Sequence, residues 1–238
     1  MGNPSDSVQR TAAVNELMES VERSTTLTEK VYTRLRRGLL VGVWNPGEKI
    51  TARQLGRDLG VSLTPAREAI MRLVNEGALE VSAKRTFSAV SLNLEQYSEI
   101  ARIRIALEPI ATEMATPRIP DEVLAHLVEV NEQMMQRIGQ DRFNDAMQLD
   151  SEFHLTIYDH ANMQTLRAMI DSLWLRAGPT RNRLSYAYRK RLIGHANHKR
   201  ILRALKSRDA AAARDAMTRD LTEGTQNIMD VMKEEANR

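Results

Sequence analysis

The sequence predicts a mainly α protein in two unequal parts: a small unit of three helices with a β-hairpin, then an antiparallel bundle of six or seven helices. Three observations carry this. Ala, Leu, Met, Glu and Arg dominate while aromatics are only 4% of residues, a balance that favours helix over strand. Apolar residues recur at helical spacing along most of the chain. With 238 residues, the chain also exceeds the roughly 100–150 of a usual single domain.

Residues 1–26 are polar, begin Gly2-Asn3-Pro4 and carry Ser/Thr clusters, which predicts a mobile arm. From Leu27, Val31, Leu35 and Leu39 recur four apart and define a first helix, with Arg34, Arg36 and Arg37 mostly off its apolar stripe. Trp44-Asn45-Pro46-Gly47 breaks that helix as a turn. Thr51 is placed to cap a second short helix carrying Leu55 and Leu59, and Gly60 sits where a helix-ending glycine belongs. A third helix follows at once. Ser62 or Thr64 can cap it, Pro65 is tolerated in its first turn, and Ala66, Ala69, Ile70, Leu73 and Val74 form its buried face. Beyond Gly77, Leu79 and Val81, then Phe87, Ala89 and Val90, flank Lys84-Arg85 with period-two character and predict a two-stranded hairpin. From Asn93 onward the spacing is helical to the end, as in Ile100/Ile103/Leu107/Ile110/Met114 and Ala213/Met217/Leu221. The organisation expected is an arm over 1–26, a small unit over 27–92 and a helical domain over 93–238.

Composition narrows the function. The chain lacks cysteine, which removes disulfides, thiolate metal sites and thiol nucleophiles and fits the reducing cytoplasm. No run of about 18 apolar residues occurs, and the N-terminus lacks the order of a secretory signal, so no membrane partner is expected. Charge is unevenly placed: residues 27–90 hold 11 Lys/Arg against 6 Asp/Glu, whereas residues 91–238 balance at 21 of each. A polyanion-binding module would concentrate its charge in this way.

The segment 51–75 has the layout of a helix-turn-helix, in which the first helix braces the second and the second lays its leading residues into the major groove of DNA. The hairpin would be its wing. The leading end reads Ser62-Leu63-Thr64-Pro65-Ala66-Arg67. Free amides and the positive end of the helix dipole suit a phosphate there, and Arg67 can reach a phosphate or a guanine edge. Short helix-loop-helix pairs also occur in proteins that never meet DNA. However, Pro46-Gly47-Glu48-Lys49-Ile50 through Leu55, Leu59 through Ile70, and Leu73-Val74-Asn75-Glu76-Gly77 closely resemble the winged helix-turn-helix of the GntR family of transcription regulators. The resemblance implies double-stranded operator DNA as partner, with contacts from Arg53, Ser62, Thr64 and Arg67 and a wing carrying Lys84 and Arg85. Two positions depart from the family: Leu63 stands where an arginine is usual, and Thr86-Phe87 replaces the wing glycine. Loss of that arginine would remove a base contact worth about 1–3 kcal/mol.

In the second part, Asp150 and His154 lie four apart on one helix face, with His198 and Asp220 on later helices. Such a set can hold a divalent cation in a bundle core, although Asp and His also populate solvated helix faces. Residues 91–238 resemble the FCD-type effector domain of the FadR subfamily, notably at Arg104-Ile105-Ala106-Leu107-Glu108, Asp150-Ser151-Glu152-Phe153-His154 and His198-Lys199-Arg200-Ile201. The resemblance implies a metal site of one Asp and three His that binds zinc or a similar ion and receives a small carboxylic-acid effector; the two Asp and two His present here would choose less selectively among zinc, manganese and nickel. Asp150, His154 and His198 fill three of the four positions. Asp220 replaces the fourth histidine, so either it ligates as a harder, more anionic donor or this copy has lost its metal. By the same resemblance Arg104 faces the pocket as the effector-binding residue, fit to grip an acid bidentately; from spacing alone it would pair with Glu108 on the helix surface. His195 could substitute as a ligand or be solvated.

The expected whole is a homodimeric repressor whose operator affinity is set by an organic acid, and not an enzyme. One rival is a metal hydrolase, which needs a general base near the metal; Glu152 should point away from Asp150. Another is a DNA-binding protein whose helical domain serves dimerisation alone.

Overall fold

The computed structural model describes residues 26–82 and 86–237. The arm expected over 1–26, apart from Thr26, and the wing pair Lys84-Arg85 lie outside the described residues.

Helix α1, Leu27–Leu40, starts at Thr26, whose hydroxyl accepts the Glu29 amide at 3.2 Å. Its stripe of Val31, Leu35 and Leu39 is buried as the spacing predicts. The turn through Gly47, at φ 74°, leads to strand β1, Lys49–Ile50. Helix α2, Ala52–Leu59, is capped by Thr51, which accepts the Gln54 amide at 3.1 Å, and stops at Gly60 in the left-handed conformation, φ 65°. Helix α3, Leu63–Asn75, follows from N-cap Ser62. The turn between the two helices folds back closely on α2 because residue 56 is glycine: a Cβ there would stand 2.9 Å from the Val61 carbonyl oxygen.

Ala69, Ile70 and Leu73 of α3 pack on α1 with no solvent exposure. Burial of the two large ones, Ile70 and Leu73, contributes about 1.5–3 kcal/mol each. At the polar edge Arg72 pairs with Glu29 at 2.6 Å and lies 3.6 Å over the Tyr32 ring.

Strands β2, Leu79–Val81, and β3, Phe87–Ala89, form the expected hairpin, but the sheet has three strands in the order β1-β3-β2, all antiparallel, with Ile50 opposite Phe87 and Leu79 opposite Ala89. Two residues are too few to show an alternating pattern, so β1 has no sequence signature of its own.

The bundle begins at Asn93, which forms a reciprocal capping box with Gln96. Seven α-helices follow: α4 Leu94–Ala115, α5 Asp121–Gly139, α6 Phe143–Asp159, α7 Gln164–Ala177, α8 Tyr186–Lys190, α9 Ile193–Lys206 and α10 Ala210–Ala236, with a 3₁₀ segment, Pro179–Arg183, between α7 and α8. Helix α10 runs against α4 and α9, while α5 packs on α6. Trp174, Phe153, Tyr158 and Ile157 lie at the centre, fully buried.

One apolar core joins both parts, running from Leu35 and Leu39 of α1 to Phe153 and Trp174 of the bundle. The seam is tight. A Cβ on Gly178 would overlap the Leu39 carbonyl oxygen, the Asn182 amide donates to the Gly42 carbonyl at 2.7 Å, and Arg36 pairs with Asp171 at 2.9 Å. No helix among the described residues is long and apolar enough to cross a membrane.

Candidate functional site

The leading end of α3 is a solvent-facing platform. Arg53 on α2 and Ser62, Thr64 and Arg67 at the front of α3 are all exposed, because Leu55, Pro65, Ala66 and Ala69 take the inward positions of the same turns. The Ser62 side chain makes no capping bond, so its hydroxyl remains available beside the first free amides of the helix. Leu63, 53% exposed, stands in the middle of this polar platform.

A second site lies inside the bundle. Asp150 and His154 on α6, His198 on α9 and Asp220 on α10 converge as follows. The two imidazoles meet through their Nε2 atoms at 3.2 Å; Asp150 Oδ1 is 3.5 Å from His198 Nε2 and 3.9 Å from His154 Nε2, and Asp220 Oδ2 is 3.3 Å from His154 Nε2. The ligand atoms of Asp150, His154 and His198 lie within 4.8 Å of one another. Donors about 2.1 Å from a shared tetrahedral cation stand ~3.4 Å apart, so the spacing suits one ion.

The outer hydrogen bonds point the same way. Tyr158 donates to Glu108 at 2.6 Å, so its oxygen accepts from His154 Nδ1 at 3.2 Å; His198 Nδ1 donates to Asn131 Oδ1 at 3.1 Å. With both Nδ1 atoms committed outward, both Nε2 atoms turn to the carboxylates; in the ion-free protein a proton on His154 Nε2 bonds Asp220, and a divalent cation would take the place of that proton.

Burial pushes the His198 pKa down to about 4, Asp220 and Asp150 opposing the shift. Burial would also lower His154, but its hydrogen bond to Asp220 and the charges of Asp150, Asp220 and Glu108 hold it above the ordinary value. Asp220 is held below the ordinary carboxylate range: burial would raise it, but the His154 hydrogen bond and the two imidazoles overcome that effect.

A cavity opens beside this cluster, lined at its polar end by Asp150, His154 and Asp220 and elsewhere by Arg104, Trp174, Arg181, Arg189 and His195. It offers about 100 Å³ to the centres of water-sized molecules. One water needs on the order of 10–15 Å³ on that measure, so a small organic molecule fits.

Arg104 lines the cavity, yet its guanidinium is held by Glu108 at 2.6 and 3.4 Å. That pair is buried, not on a helix surface, and Arg104 also stacks on Trp174 at 4.7 Å. His195 is buried as well: its Nδ1 donates to the Asn131 carbonyl at 3.1 Å, while its Nε2, 3.9 Å from Glu132, has no hydrogen-bond partner among the described residues. It is not part of the three-residue cluster. Glu152 faces away from the cavity and meets His126 at 2.9 Å.

Sequence reasoning missed Arg181, Trp174 and Arg189. Arg181 grips Asp150 Oδ2, donates to Ser151 Oγ at 2.8 Å and lies 4.2 Å over the Trp174 ring. Its Nη1 also stands 3.4 Å from the Leu40 carbonyl at the end of α1. Arg181 comes from the short 3₁₀ segment, which has no helical period to mark one of its residues as inward-facing.

Two family models match the chain: "Bacterial regulatory proteins, gntR family" over residues 27–87 and "FCD domain" over residues 99–223. The HTH-type transcriptional regulator McbR of Escherichia coli K12 is 33% identical over 218 residues, 90% of this chain and 96% of that protein. The HTH-type transcriptional repressor RspR of the same strain is 23% identical over 89% of this chain and 92% of its own length. The solved structure of E. coli McbR/YncC superposes with a TM-score of 0.78 at 30% identity, covering 89% of this chain and 100% of that one.

Proposed function

Since the chain belongs to the GntR family of bacterial transcription regulators and carries an FCD effector-binding domain, we propose that it is a cytoplasmic homodimeric repressor whose operator affinity follows the state of the bundle cavity. The DNA-binding unit spans residues 27–92, with 1–26 as an arm, and the effector and dimerisation domain spans 93–238. Arg53, Ser62, Thr64 and Arg67 contact operator DNA, and the wing pair Lys84 and Arg85 approaches the minor groove. The repressor sense follows the kind of regulator that RspR is named as.

Asp150, His154 and His198 hold a divalent cation, with Asp220 as fourth donor. Two imidazoles and two carboxylates suit zinc, with manganese or nickel as alternatives. When bound, the cation supplies a fixed positive charge at the polar end of the cavity, which receives the carboxylate of a small organic acid. Arg104 binds the effector from the cavity wall as a hydrogen-bond donor, its guanidinium held in place and its charge balanced by Glu108.

The observation that carries this reading is the double engagement of Arg181. One nitrogen is on the Asp150 carboxylate of the cavity and the other is beside the last carbonyl of α1 in the DNA-binding unit. A change at Asp150 therefore reaches the helix that α3 packs on. Coupling of this kind requires the ligand to prefer one arrangement of the two parts.

Footprinting on the region upstream of its own gene tests the proposal. Paired protected half-sites, centred one helical turn or a multiple of it apart, are expected. Absence of any protected sequence at moderate salt would refute it.

A further inference from the structure

Three arginines line the cavity, and two are already neutralised: Arg104 by Glu108, and Arg181 by Asp150. Arg189, on α8, has no carboxylate partner among the described residues. One of its terminal nitrogens donates to the Asn182 carbonyl at 2.8 Å, while its Nε is buried without any partner. Its guanidinium lies 5.1 Å from the Phe143 ring centroid. A desolvated N–H with nothing to donate to is costly, and a half-buried cation with no counter-ion is doubly so. Burial and the neighbouring charge of Arg181 both work against its charge, with Asp150 opposing. Arg189 therefore stands within the electrostatic reach of the cluster.

The balance of charge gives this a chemical meaning. Glu108, Asp150 and Asp220 offset the three arginines, so a divalent cation held by the histidine cluster leaves its entire charge of +2 uncompensated. A monocarboxylate would cancel half of it. The same cavity has an apolar stretch of wall, Met134, Ile138, Phe143 and Ala146, with Phe143 beside the Arg189 guanidinium, and this suits methylene groups.

We propose that Arg189 receives a second anionic group of the effector, so that the effector is a dicarboxylate with one end at the cation and the other at Arg189. This rests on the cavity being the effector site read above. Charge-assisted pairing with a guanidinium fork is directional and strong, so the second carboxylate sets specificity as well as affinity.

The test uses the full chain loaded with zinc, one ion per chain verified by elemental analysis. Binding of linear dicarboxylates from malonate to adipate, and of the monomethyl ester of each, is measured by calorimetry. At least one diacid is expected to bind about tenfold or more tightly than its own ester. In Arg189→Gln the diacid falls to the level of the ester with zinc content unchanged, and Arg189→Lys recovers part of the difference. Esters binding as tightly as diacids in the wild type, or a preference surviving in Arg189→Gln, would overturn the assignment of Arg189 while leaving the effector cavity standing. If zinc is bound and neither diacid nor ester binds, the effector reading falls and this inference falls with it.

Discussion

The guanidinium of Arg181, which belongs to the bundle, stands 3.4 Å from the backbone carbonyl of Leu40, the last residue of the first helix of the DNA-binding unit. Because the same side chain grips Asp150, Arg181→Lys removes the planar fork that spans the two and keeps the charge. Allosteric coupling is typically 5–150-fold in affinity. With a saturating carboxylic acid, the wild type should show a shift in that range and Arg181→Lys a shift below about twofold, with ligand-free operator affinity retained. Fluorescence anisotropy with labelled operator measures both.

Arg53 and Arg67 are exposed on the platform at the front of α3. Alanine at Arg67 should weaken operator binding by about 1–3 kcal/mol if it reads a base; a residue that contacts only phosphate instead lowers the salt slope by about 1 across all sequences. Thermal unfolding should be unchanged for either variant, since neither side chain is packed. Restoring an arginine through Leu63→Arg should tighten binding to an operator with guanine at the facing position.

The metal-free protein carries two histidines shifted in opposite directions from 6.5. His198, depressed to about 4, is buried neutral, so the unfolded chain takes up the extra proton and stability is lost as pH falls from 6.5 toward 4. His154 is raised, so its contribution is full below 6.5 and is lost as pH climbs through its folded value. In chelator, these two groups place the stability maximum near pH 6.5. With zinc bound, both imidazoles must stay neutral, and the gain from metal should grow as pH rises. Urea melts between pH 4 and 8, with and without chelator, check both signs.

Gly178 allows the seam between the two parts to close on Leu39. Gly178→Ala should destabilise the chain by about 1–3 kcal/mol through forced separation and weaken the ligand response together with it. An unaltered urea midpoint would show that this approach is not held in solution.

Much of the DNA-binding unit was readable in the chain because its signals are local. Thr51, Gly60 and Pro65 each act on the turn they occupy, and the apolar stripe of α3 follows from its period. Asp150 and His154 were readable for the same reason, being one helical turn apart. Strand β1 was not, since two residues carry no period and the strand exists only because Ile50 meets Phe87. The seam and the cavity wall were hidden as well. Arg181 and Arg189 come from a 3₁₀ segment and a five-residue helix, whose orientation is dictated by the helices around them and not by their own sequence. His195 reads as solvated by residue type, but its ring is drawn inward by the Asn131 carbonyl.

The decisive measurement is a titration of the zinc-loaded protein against the duplex upstream of its own gene and against a shuffled duplex of equal length, each with and without the dicarboxylate that binds best. Coupled operator binding should give a preference of about 10³-fold or more for the native duplex, reduced by roughly 5–150-fold when the acid is present. Equal affinity for the two duplexes, or a preference indifferent to every acid that binds the cavity, would contradict it.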